Sequence, residues 1–218
     1  MSAEAFDTLA AKFISSELGM IPAGWDHRSL YSTATYINGA AFKSAHFCDA
    51  ADGLPVVKIA ELKSGITAQT KYSNRTDLAA KYRIDTGDML YSWSGSPDTS
   101  LDVFRWSFGP GLLNQHIFKV VNENEAEKYF VYYLLRHLRA ELVEIARDKQ
   151  TTGLGHVTIE DMKRLKVCLP APDTLNSFAE AVGPMYDLSF KLELESNKLT
   201  CLRDYLLPRL LSGRVRVA

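Results

Sequence analysis

Amide, hydroxyl and basic side chains are concentrated in three short segments of this sequence. Amides can pair with the edge of adenine, and small hydroxyl residues or glycine beside an aromatic ring let a backbone approach a phosphate. The candidate nucleic-acid contacts are Lys58, Lys63, Gln69, Lys71, Asn74 and Arg75, then Ser92, Ser94 and Ser96, then Asn114, Gln115 and His116. Plainer interpretations stay open: a turn rich in Ser and Gly, or an amide buried to hold a sheet together.

The charge of the chain allows local rather than general attraction to nucleic acid. The formal net charge is −1, so the protein is no polycation. Between Lys58 and Arg83, however, there are six basic residues and only two acidic ones, Glu61 and Asp77. A local patch of this kind can neutralise phosphates on a near-neutral protein. The alternative is an ordinary solvated surface.

Motifs for catalysis are absent from the sequence. There is no glycine-rich nucleotide loop, no HExxH or GxSxG motif, and the five histidines lack metal-ligand spacing. The sequence therefore predicts no enzyme activity, no metal site and no cofactor. Three distant cysteines, Cys48, Cys168 and Cys201, favour reduced thiols. Because Glu4 and Asp7 argue against an export signal and no run suits a membrane span, we expect a cytoplasmic protein.

The first 170 residues show two kinds of pattern. Residues 1–18 predict a short amphipathic helix, because Phe6, Leu9, Ala10, Phe13 and Ile14 recur at helical spacing. Residues 19–170 predict a globular domain with a mixed sheet, including strands at 56–59, 89–93, 116–121 and 165–169. Three- and four-residue apolar steps over 125–147 predict one helix packed on that sheet. The expected fold class is therefore α+β.

Residues 171–218 predict a long helix with a coiled-coil seam. Asp173 suits the N-cap, Gly183-Pro184 should kink the helix, and Gly213 should end it. The apolar residues of this helix form a stripe along one side, and a stripe of this length needs a partner helix to cover it. The predicted interface residues are Phe178, Val182, Met185, Leu188, Leu192, Leu199, Leu202, Leu206 and Leu210.

Motifs along nearly the whole chain carry a family resemblance. They are S-E-L-G-M-I-P-A-G-W (16–25), G-D-M-L-Y-S-W-S-G-S (87–96), L-N-Q-H-I (113–117), the segment 152–170, and the C-terminal block 195–217. The chain resembles the specificity (S) subunits of type I DNA restriction–modification systems, with one target-recognition domain and one conserved helical region. The opening and the C-terminal block are the specific parts, whereas the middle is weak.

The resemblance implies recognition of double-stranded DNA without catalysis. In this family a globular domain reads half of a bipartite site, and the conserved helices pair and dock modification subunits. Those subunits carry S-adenosylmethionine and methylate adenine N6, and restriction subunits join for cleavage. The usual member has two recognition domains and two conserved regions, so one of each implies a half-length subunit that forms a C2 homodimer. Residues 1–17 are then a remnant of the first conserved region or the start of a genuine half.

Two hypotheses remain open at this point. In the first, residues 20–165 bind DNA and residues 173–211 dimerise, so the target is an interrupted palindrome. In the second, the chain is a coiled-coil module that assembles methylase or restriction subunits without competent DNA reading, which the near-neutral charge favours. A free-standing nuclease or methylase would need residues that the sequence lacks.

Overall fold

The computed structural model describes residues 13–75, 77–150 and 154–215. Contacts divide the chain into two compact units, the first ending at Gly183 and the second beginning at Pro184. The strands of the described residues are β1 (Phe13–Ser16), β2 (Gly19–Pro22), β3 (Asp26–Ser29), β4 (Thr35–Asn38), β5 (Leu54–Val57), β6 (Tyr72–Ser73), β7 (Arg83–Ile84), β8 (Met89–Ser92), β9 (Ser94–Gly95), β10 (Asp102–Arg105), β11 (Gly111–Leu113), β12 (Ile117–Val121), β13 (Gly155–His156) and β14 (Lys166–Leu169). Their α-helices are α1 (Ile59–Ser64), α2 (Pro97–Ser100), α3 (Glu125–His137), α4 (Arg139–Asp148), α5 (Ile159–Arg164) and α6 (Pro172–Leu211). Short 3-10 helices lie at Leu30–Thr33, Ser44–His46 and Ala80–Tyr82.

Two four-stranded sheets lie at the centre of the first unit. One is antiparallel with the strand order β10-β8-β12-β4, and the other is mixed with the order β6-β5-β11-β7 and a parallel β5–β11 pair. Buried hydrophobic residues from both sheets form one cluster, consisting of Val57, Ile84, Leu90, Trp106, Leu113 and Ile117. Strands covered on both faces have continuous apolar sequences, as in β8. The predicted α+β class with a mixed sheet is confirmed.

The N-terminal helix prediction is wrong where the structure describes it. Strands β1 and β2 form an antiparallel hairpin, and Gly19 has a φ of +91° in its turn. Glycine accepts this conformation without strain, whereas a helix cannot continue through it. The Ser16 hydroxyl donates to the carbonyl of Gly19 at 2.8 Å and closes the turn. The other residues of that prediction, Phe6, Leu9 and Ala10, lie outside the described residues.

The helix predicted over 125–147 is two helices, α3 and α4. The side chain of Asn124 caps α3 by accepting the N–H of Glu127 at 2.9 Å. Leu138 lies between the two helices with a ψ of 0°, which departs from α-helical backbone. Tyr129 and Leu135 are buried, and α3 packs against β10. The periodicity identified the buried face correctly. The apolar spacing continues from α3 into α4, however, so the break between the two helices cannot be detected from the sequence pattern.

The C-terminal helix α6 begins one residue before the predicted N-cap. Pro172 occupies the first turn, where its missing N–H is no loss, and Asp173 follows it in that turn. The helix contains Pro184, at the predicted kink site, and Pro208. It ends at Leu211, and the residues that follow form a C-terminal cap.

The predicted stop at Gly213 is confirmed. Gly213 has a φ of +69°, and its N–H donates to the carbonyl of Leu210 at 3.1 Å. The N–H of Arg214 donates to the carbonyl of Arg209 at 2.9 Å. A left-handed glycine with two such bonds satisfies the last carbonyl groups of a helix.

Candidate nucleic-acid interface

Polar and aromatic side chains meet at one edge of the antiparallel sheet. Phe118 of β12 is paired with Asn38 of β4 and with Tyr91 of β8, so these side chains lie on one face. Trp93 lies two residues after Tyr91, and His116 two residues before Phe118, so strand alternation puts both on that same face. Tyr91 and Phe118 are buried, whereas the face becomes accessible toward the strand ends. We call Asn38, Trp93, Gln115 and His116 the polar edge.

Trp93 is the central residue of the polar edge. Its ring centroid lies 5.7 Å from that of His116 and 5.8 Å from that of Phe118. The indole Nε1 donates to Oδ1 of Asn38 at 3.2 Å, and the backbone carbonyl accepts the N–H of Val157 at 2.9 Å. These contacts hold a half-buried indole in place beside three exposed polar side chains.

Gln115 and His116 belong to the loop between β11 and β12, and both are exposed. The amide nitrogen Nε2 of Gln115 lies 3.2 Å from Nε2 of His116. Because an amide nitrogen only donates, His116 accepts through this atom. Gln115 then keeps its carbonyl oxygen and one N–H for a ligand. An amide with both groups available can make the bidentate contact with adenine that the sequence suggested.

Two lysines lie on the segment that follows β5 of the mixed sheet. The N–H of Asn114 donates to the carbonyl of Val57 at 3.1 Å, which puts the ends of β11 and β5 side by side. Lys58 follows Val57 directly, and Lys63 lies near the end of α1. The Lys63 ammonium donates to the Ser100 hydroxyl at 3.3 Å. Lys58 therefore directly follows a strand end that is hydrogen-bonded to the segment carrying Gln115, and its ammonium lies 5.2 Å from the centroid of the Phe47 ring.

The structure corrects the predictions for Ser92 and Asn114. Ser92 pairs with Ile117 and is 0% exposed, because alternation along β8 turns it toward the apolar core. Asn114 is 8% exposed, and it forms a bridge to Ala40 beside the end of β4. Neither side chain is presented at the surface. The backbone of Asn114 links neighbouring strand ends, because its N–H donates to the carbonyl of Val57 and its carbonyl accepts the N–H of Ile117.

Ser94 and Ser96 lie on either side of Gly95. Ser94 is half-buried in β9 and paired with His156 of β13, whereas Ser96 is exposed at the start of α2. Gly95 has a φ of +117°, and a Cβ there would lie 2.7 Å from the Cβ of Ser100. Glycine is therefore needed at this position, because it lets the turn pack closely on α2. Ser96 remains accessible to solvent.

The remaining predicted residues lie around β6, in the mixed sheet. Gln69, Lys71 and Asn74 are exposed. Arg75 is held within the protein, because its Nε donates to Asp77 at 2.9 Å and its Nη1 donates to the carbonyl of Ala41 at 3.2 Å. The hydrogen bond with Asp77 raises the pKa of Arg75 and lowers that of the Asp77 carboxyl. Contact of Arg75 with DNA therefore stays a prediction, and it would compete with the ion pair to Asp77.

Sequence reasoning missed Asn38 and the direct part played by Trp93. Trp93 was noted only as the aromatic neighbour of a Ser- and Gly-rich turn. Asn38 ends a short strand just before Gly39, and a terminal amide before glycine was the available signal. Nothing in the linear sequence links Asn38 to a tryptophan 55 residues later. The link exists only because β4 and β8 both pair with β12.

A buried carboxylate anchors the segment that supports Trp93. Asp161 is 6% exposed and accepts hydrogen bonds from the N–H and hydroxyl of Thr158, at 2.8 and 2.6 Å, and from Lys149 Nζ at 2.6 Å. Burial alone would raise the pKa of Asp161, but the bonds from Lys149 and Thr158 outweigh it and lower that pKa. Val157, whose N–H meets the carbonyl of Trp93, directly precedes Thr158. Asp161 therefore holds in place the segment whose Val157 N–H binds the carbonyl of Trp93 in the polar edge.

Most of the predicted interface residues of α6 are exposed. Met185, Leu188, Leu192, Leu199 and Leu202 are each more than half exposed, while Leu210 is 37% exposed and Leu206 is half-buried.

Phe178 has a different part from the one predicted. Its ring packs edge-on against Phe130 and Tyr133 of α3, with centroids 6.0 and 6.2 Å apart. Val182, one turn later, is also half-buried. The seam prediction is therefore corrected for Phe178, because an aromatic residue at seam spacing is already used by the first unit. The exposed stripe begins at Met185.

A cleft of about 660 Å³ lies apart from all the predicted DNA contacts. Its lining includes Asp26, Arg28, Glu123, Glu127 and Asn176. Over residues 13–75, 77–150 and 154–215, no three or more His, Cys, Asp or Glu side chains are grouped as metal ligands. The same residues contain no helix with the length and apolar character needed to cross a bilayer.

Comparison with known proteins gives one consistent result. The family model described as the type I restriction modification DNA specificity domain matches residues 22–182. The HindI specificity subunit of Haemophilus influenzae is 20% identical over 197 residues, covering 89% of this chain and 42% of that protein. The MjaIX specificity subunit of Methanocaldococcus jannaschii is 27% identical over 207 residues, covering 90% and 46%. The EcoBI specificity subunit of Escherichia coli is 32% identical over 112 residues, covering 51% and 22%.

Solved structures share the fold. An S subunit from M. genitalium matches with a TM-score of 0.54 at 16% identity, covering 86% of this chain and 46% of that one. The HsdS subunit of Thermoanaerobacter tengcongensis also gives 0.54 at 17% identity, covering 96% and 50%. The curated relatives with broad matches, like these structures, are about twice as long as the present chain.

Proposed function

This chain belongs to the type I restriction–modification DNA specificity family, and from that premise we propose that it reads one half of a bipartite site in double-stranded DNA. It is a non-catalytic specificity subunit, in agreement with the curated relatives, all of which are named as specificity subunits. Adenine N6 methylation and cleavage belong to modification and restriction partners, with S-adenosylmethionine on the modification subunit. The three cysteines, none in a disulfide, agree with a cytoplasmic location.

The polar edge is the observation that carries this proposal. Three different strands or their flanking loops bring Asn38, Trp93, Gln115 and His116 together, and the side chains are exposed or half-buried. An exposed amide with a free acceptor and donor suits base edges, and an indole supports it. Gln115 and His116 are exposed beside this indole, so their polar groups face solvent and are accessible to a ligand.

Lysines near this edge supply the sequence-independent part of binding. Lys58 and Lys63 lie beside the β5–β11 end, and Lys71 is exposed by the neighbouring strand β6. With a net charge of −1, the chain should make few phosphate contacts in comparison with a polycation. The free energy of binding should therefore depend only moderately on salt, with log K falling by about 0.9 per log unit of salt for each phosphate contacted.

The C-terminal helix supplies the proposed assembly function. Its exposed stripe from Met185 to Leu202 is the pattern expected of a helix that pairs with another helix. We propose that two copies pair through α6 with C2 symmetry and that the same region docks modification subunits. Two identical reading domains related by a dyad then require an interrupted palindrome as the target.

Two substitutions separate base reading from phosphate binding. Gln115→Ala should weaken binding to the cognate duplex by about 1–3 kcal/mol and relax specificity at one base position. Lys63→Ala should weaken binding to all duplexes alike and lower the salt slope by about one. Lys166→Ala, an exposed lysine on β14 in a different sheet, is the matched control. The measurement is fluorescence anisotropy with duplexes selected from a randomised library, at several salt concentrations.

The same measurement distinguishes the alternative hypothesis of a pure assembly module. If the complex assembles with its modification subunit but the unsubstituted chain enriches no sequence from the library, and Gln115→Ala and Lys63→Ala bind duplexes as it does, the DNA-reading function is refuted. Methylation mapping by long-read sequencing of cells that express the complex tests the symmetry. A two-part palindromic N6-methyladenine motif supports the homodimer, and a contiguous or asymmetric motif contradicts it.

A further inference from the structure

One end of the mixed sheet brings together residues from three separate segments. Strands β5 and β11 are parallel and both end there. Strand β7 runs antiparallel to β11, so it begins at that same end. Lys58 directly follows β5, the 3-10 helix Ala80–Tyr82 directly precedes β7, and Gln115 lies just after β11. Two lysines, Lys58 and Lys81, therefore lie at the sheet end from which the chain continues into the polar edge.

Each of these lysines lies over an aromatic ring. The ammonium of Lys58 is 5.2 Å from the centroid of the Phe47 ring, and that of Lys81 is 5.1 Å from the centroid of the Tyr82 ring. Both rings are half-buried, because they pack against the same buried apolar cluster of the mixed sheet. We call Phe47, Lys58, Lys81 and Tyr82 the cation–aromatic surface.

An aromatic ring holds an ammonium group without neutralising it. The ring quadrupole attracts the cation, but the ring has no net charge, so the lysine keeps its positive charge and its N–H donors for an anion. Arg75 is the contrasting case, because it lies 5.8 Å from the centroid of the Phe42 ring but is also bound by the carboxylate of Asp77. A lysine that a ring already restrains loses less rotamer freedom when it binds a ligand.

Backbone contacts join the cation–aromatic surface to the polar edge. The N–H of Asn114 donates to the carbonyl of Val57, the residue before Lys58, at 3.1 Å. The 3-10 helix that contains Lys81 contacts β4, the strand whose last residue is Asn38. Side chains suited to base edges and side chains suited to phosphates thus lie on neighbouring segments of one framework, as contact with a single DNA site requires.

On the basis of the proposed DNA-reading function, we infer that the cation–aromatic surface binds the phosphate backbone beside the bases that the polar edge reads. Lys58 and Lys81 are the phosphate contacts. Phe47 and Tyr82 are their positioning residues, which hold each ammonium toward the DNA without contacting it themselves.

The test is fluorescence anisotropy with the full chain in complex with its modification subunit. The probes are the duplex selected from a randomised library and a scrambled duplex of the same composition, each at several salt concentrations. Lys81→Gln removes one positive charge from an exposed side chain. It should weaken binding to both duplexes alike and reduce the slope of log K against log salt by about 0.9, the value for one phosphate contact. The selected motif should not change.

Substitutions of Tyr82 test the positioning role separately from the charge. Tyr82→Leu removes the ring and keeps Lys81, so it should weaken binding to both duplexes by roughly two- to fivefold, the range of one exposed cation–π interaction, with an unchanged salt slope. Tyr82→Phe keeps a ring and should bind as the unsubstituted chain does. Thermal unfolding of each variant checks that the fold is retained.

Lys163→Gln is the matched control. Lys163 also lies over a ring, 5.9 Å from the centroid of Tyr31, but it is on α5 and is paired with Glu160 at 2.9 Å. Its substitution should leave the affinity and the salt slope unchanged for both duplexes.

The outcomes separate this inference from the proposed function. An unchanged salt slope in Lys81→Gln overturns the phosphate contact, and a changed motif also overturns it, since Lys81 would then contact a base. If Tyr82→Leu binds as the unsubstituted chain does, the positioning role is overturned. If the unsubstituted chain selects no motif, the proposed reading function fails, whereas a smaller slope in Lys81→Gln would still support the phosphate surface. An unsubstituted chain that binds neither duplex overturns both.

Discussion

Replacing Asp161 by Asn tests whether the buried carboxylate anchors the segment beside the polar edge. The carboxylate accepts two hydrogen bonds from Thr158 and a charge-assisted one from Lys149. Hydrogen bonds to charged groups contribute about 1.5–3 kcal/mol each, but Lys149 is 37% exposed and water screens its share. Asparagine keeps one acceptor and turns an N–H toward existing donors. We therefore expect Asp161→Asn to lower the free energy of unfolding by about 3 kcal/mol, which for a chain of this size lowers Tm by about 6–12 °C.

The pH dependence of the Tm difference provides a second, independent test of this prediction. Because the pKa of Asp161 is lowered in the folded protein, its charge stabilises the fold above the unfolded-state pKa, about 3.9 for aspartate. That contribution is lost as the pH falls through the lowered pKa of the folded state. The Tm difference between the unsubstituted chain and Asp161→Asn should be constant from pH 8 to 5 and shrink below about pH 4.

Glu160→Gln is the control for this experiment. It makes the same acid-to-amide change at the adjacent residue, whose carboxylate is exposed and pairs with Lys163. Its Tm should stay close to that of the unsubstituted chain at every pH. Differential scanning calorimetry measures all three proteins. Equal shifts for Asp161→Asn and Glu160→Gln, or a shift that grows on acidification, would refute the anchoring by Asp161.

Two further substitutions test the backbone packing beside the polar edge and the exposed stripe of α6. A Cβ at Gly39 would lie 2.2 Å from the backbone carbonyl oxygen of Asn114, so Gly39→Ala should destabilise the fold by about 1–3 kcal/mol and weaken DNA binding; an unchanged urea midpoint would contradict the close approach. Leu199 is 60% exposed, so Leu199→Glu should leave the fold intact but dissociate the proposed dimer, because it places a charge in the proposed seam, whereas Thr200→Glu beside it should leave that dimer intact. Multi-angle light scattering distinguishes these states, and a dimeric Leu199→Glu protein would place the interface elsewhere.

Local pattern was a good guide where one segment determines its own structure. The strands β8 and β12 lie where β-branched and aromatic runs predicted them, and Gly213 ends α6 through its left-handed backbone. The strand predicted at 56–59 is β5 (Leu54–Val57), two residues earlier, and Ile59 begins helix α1 instead. The same reasoning was wrong for residues 13–18. There the apolar spacing fits a helix, but Gly19 supports a hairpin instead. Two segments that share one stripe, as α3 and α4 do, also give no sign of the break between them.

The candidate site was harder to predict than the elements that carry it. The sequence drew attention to the segments 92–96 and 114–116, because their side-chain types suit DNA, and their contact with DNA stays a prediction. It did not show that Ser92 and Asn114 are buried while Gln115 and His116 are exposed. Side chains alternate along a strand, so a shift of one residue exchanges the core face for the open face. Only the pairing of β8 with β12 settles which face is covered.

The sequence by itself therefore determined the α+β class, the long apolar-striped helix and the lack of catalytic motifs, since each depends on residue type and short-range spacing. Tertiary structure alone decided that Asn38 meets Trp93, that Arg75 is engaged by Asp77, and that Phe178 packs on α3 rather than remaining in an exposed seam. The physical reason is that hydrogen bonds and ring contacts join atoms a few ångströms apart. Which residues come that close depends on strand pairing between distant segments, and this pairing has no counterpart in local periodicity.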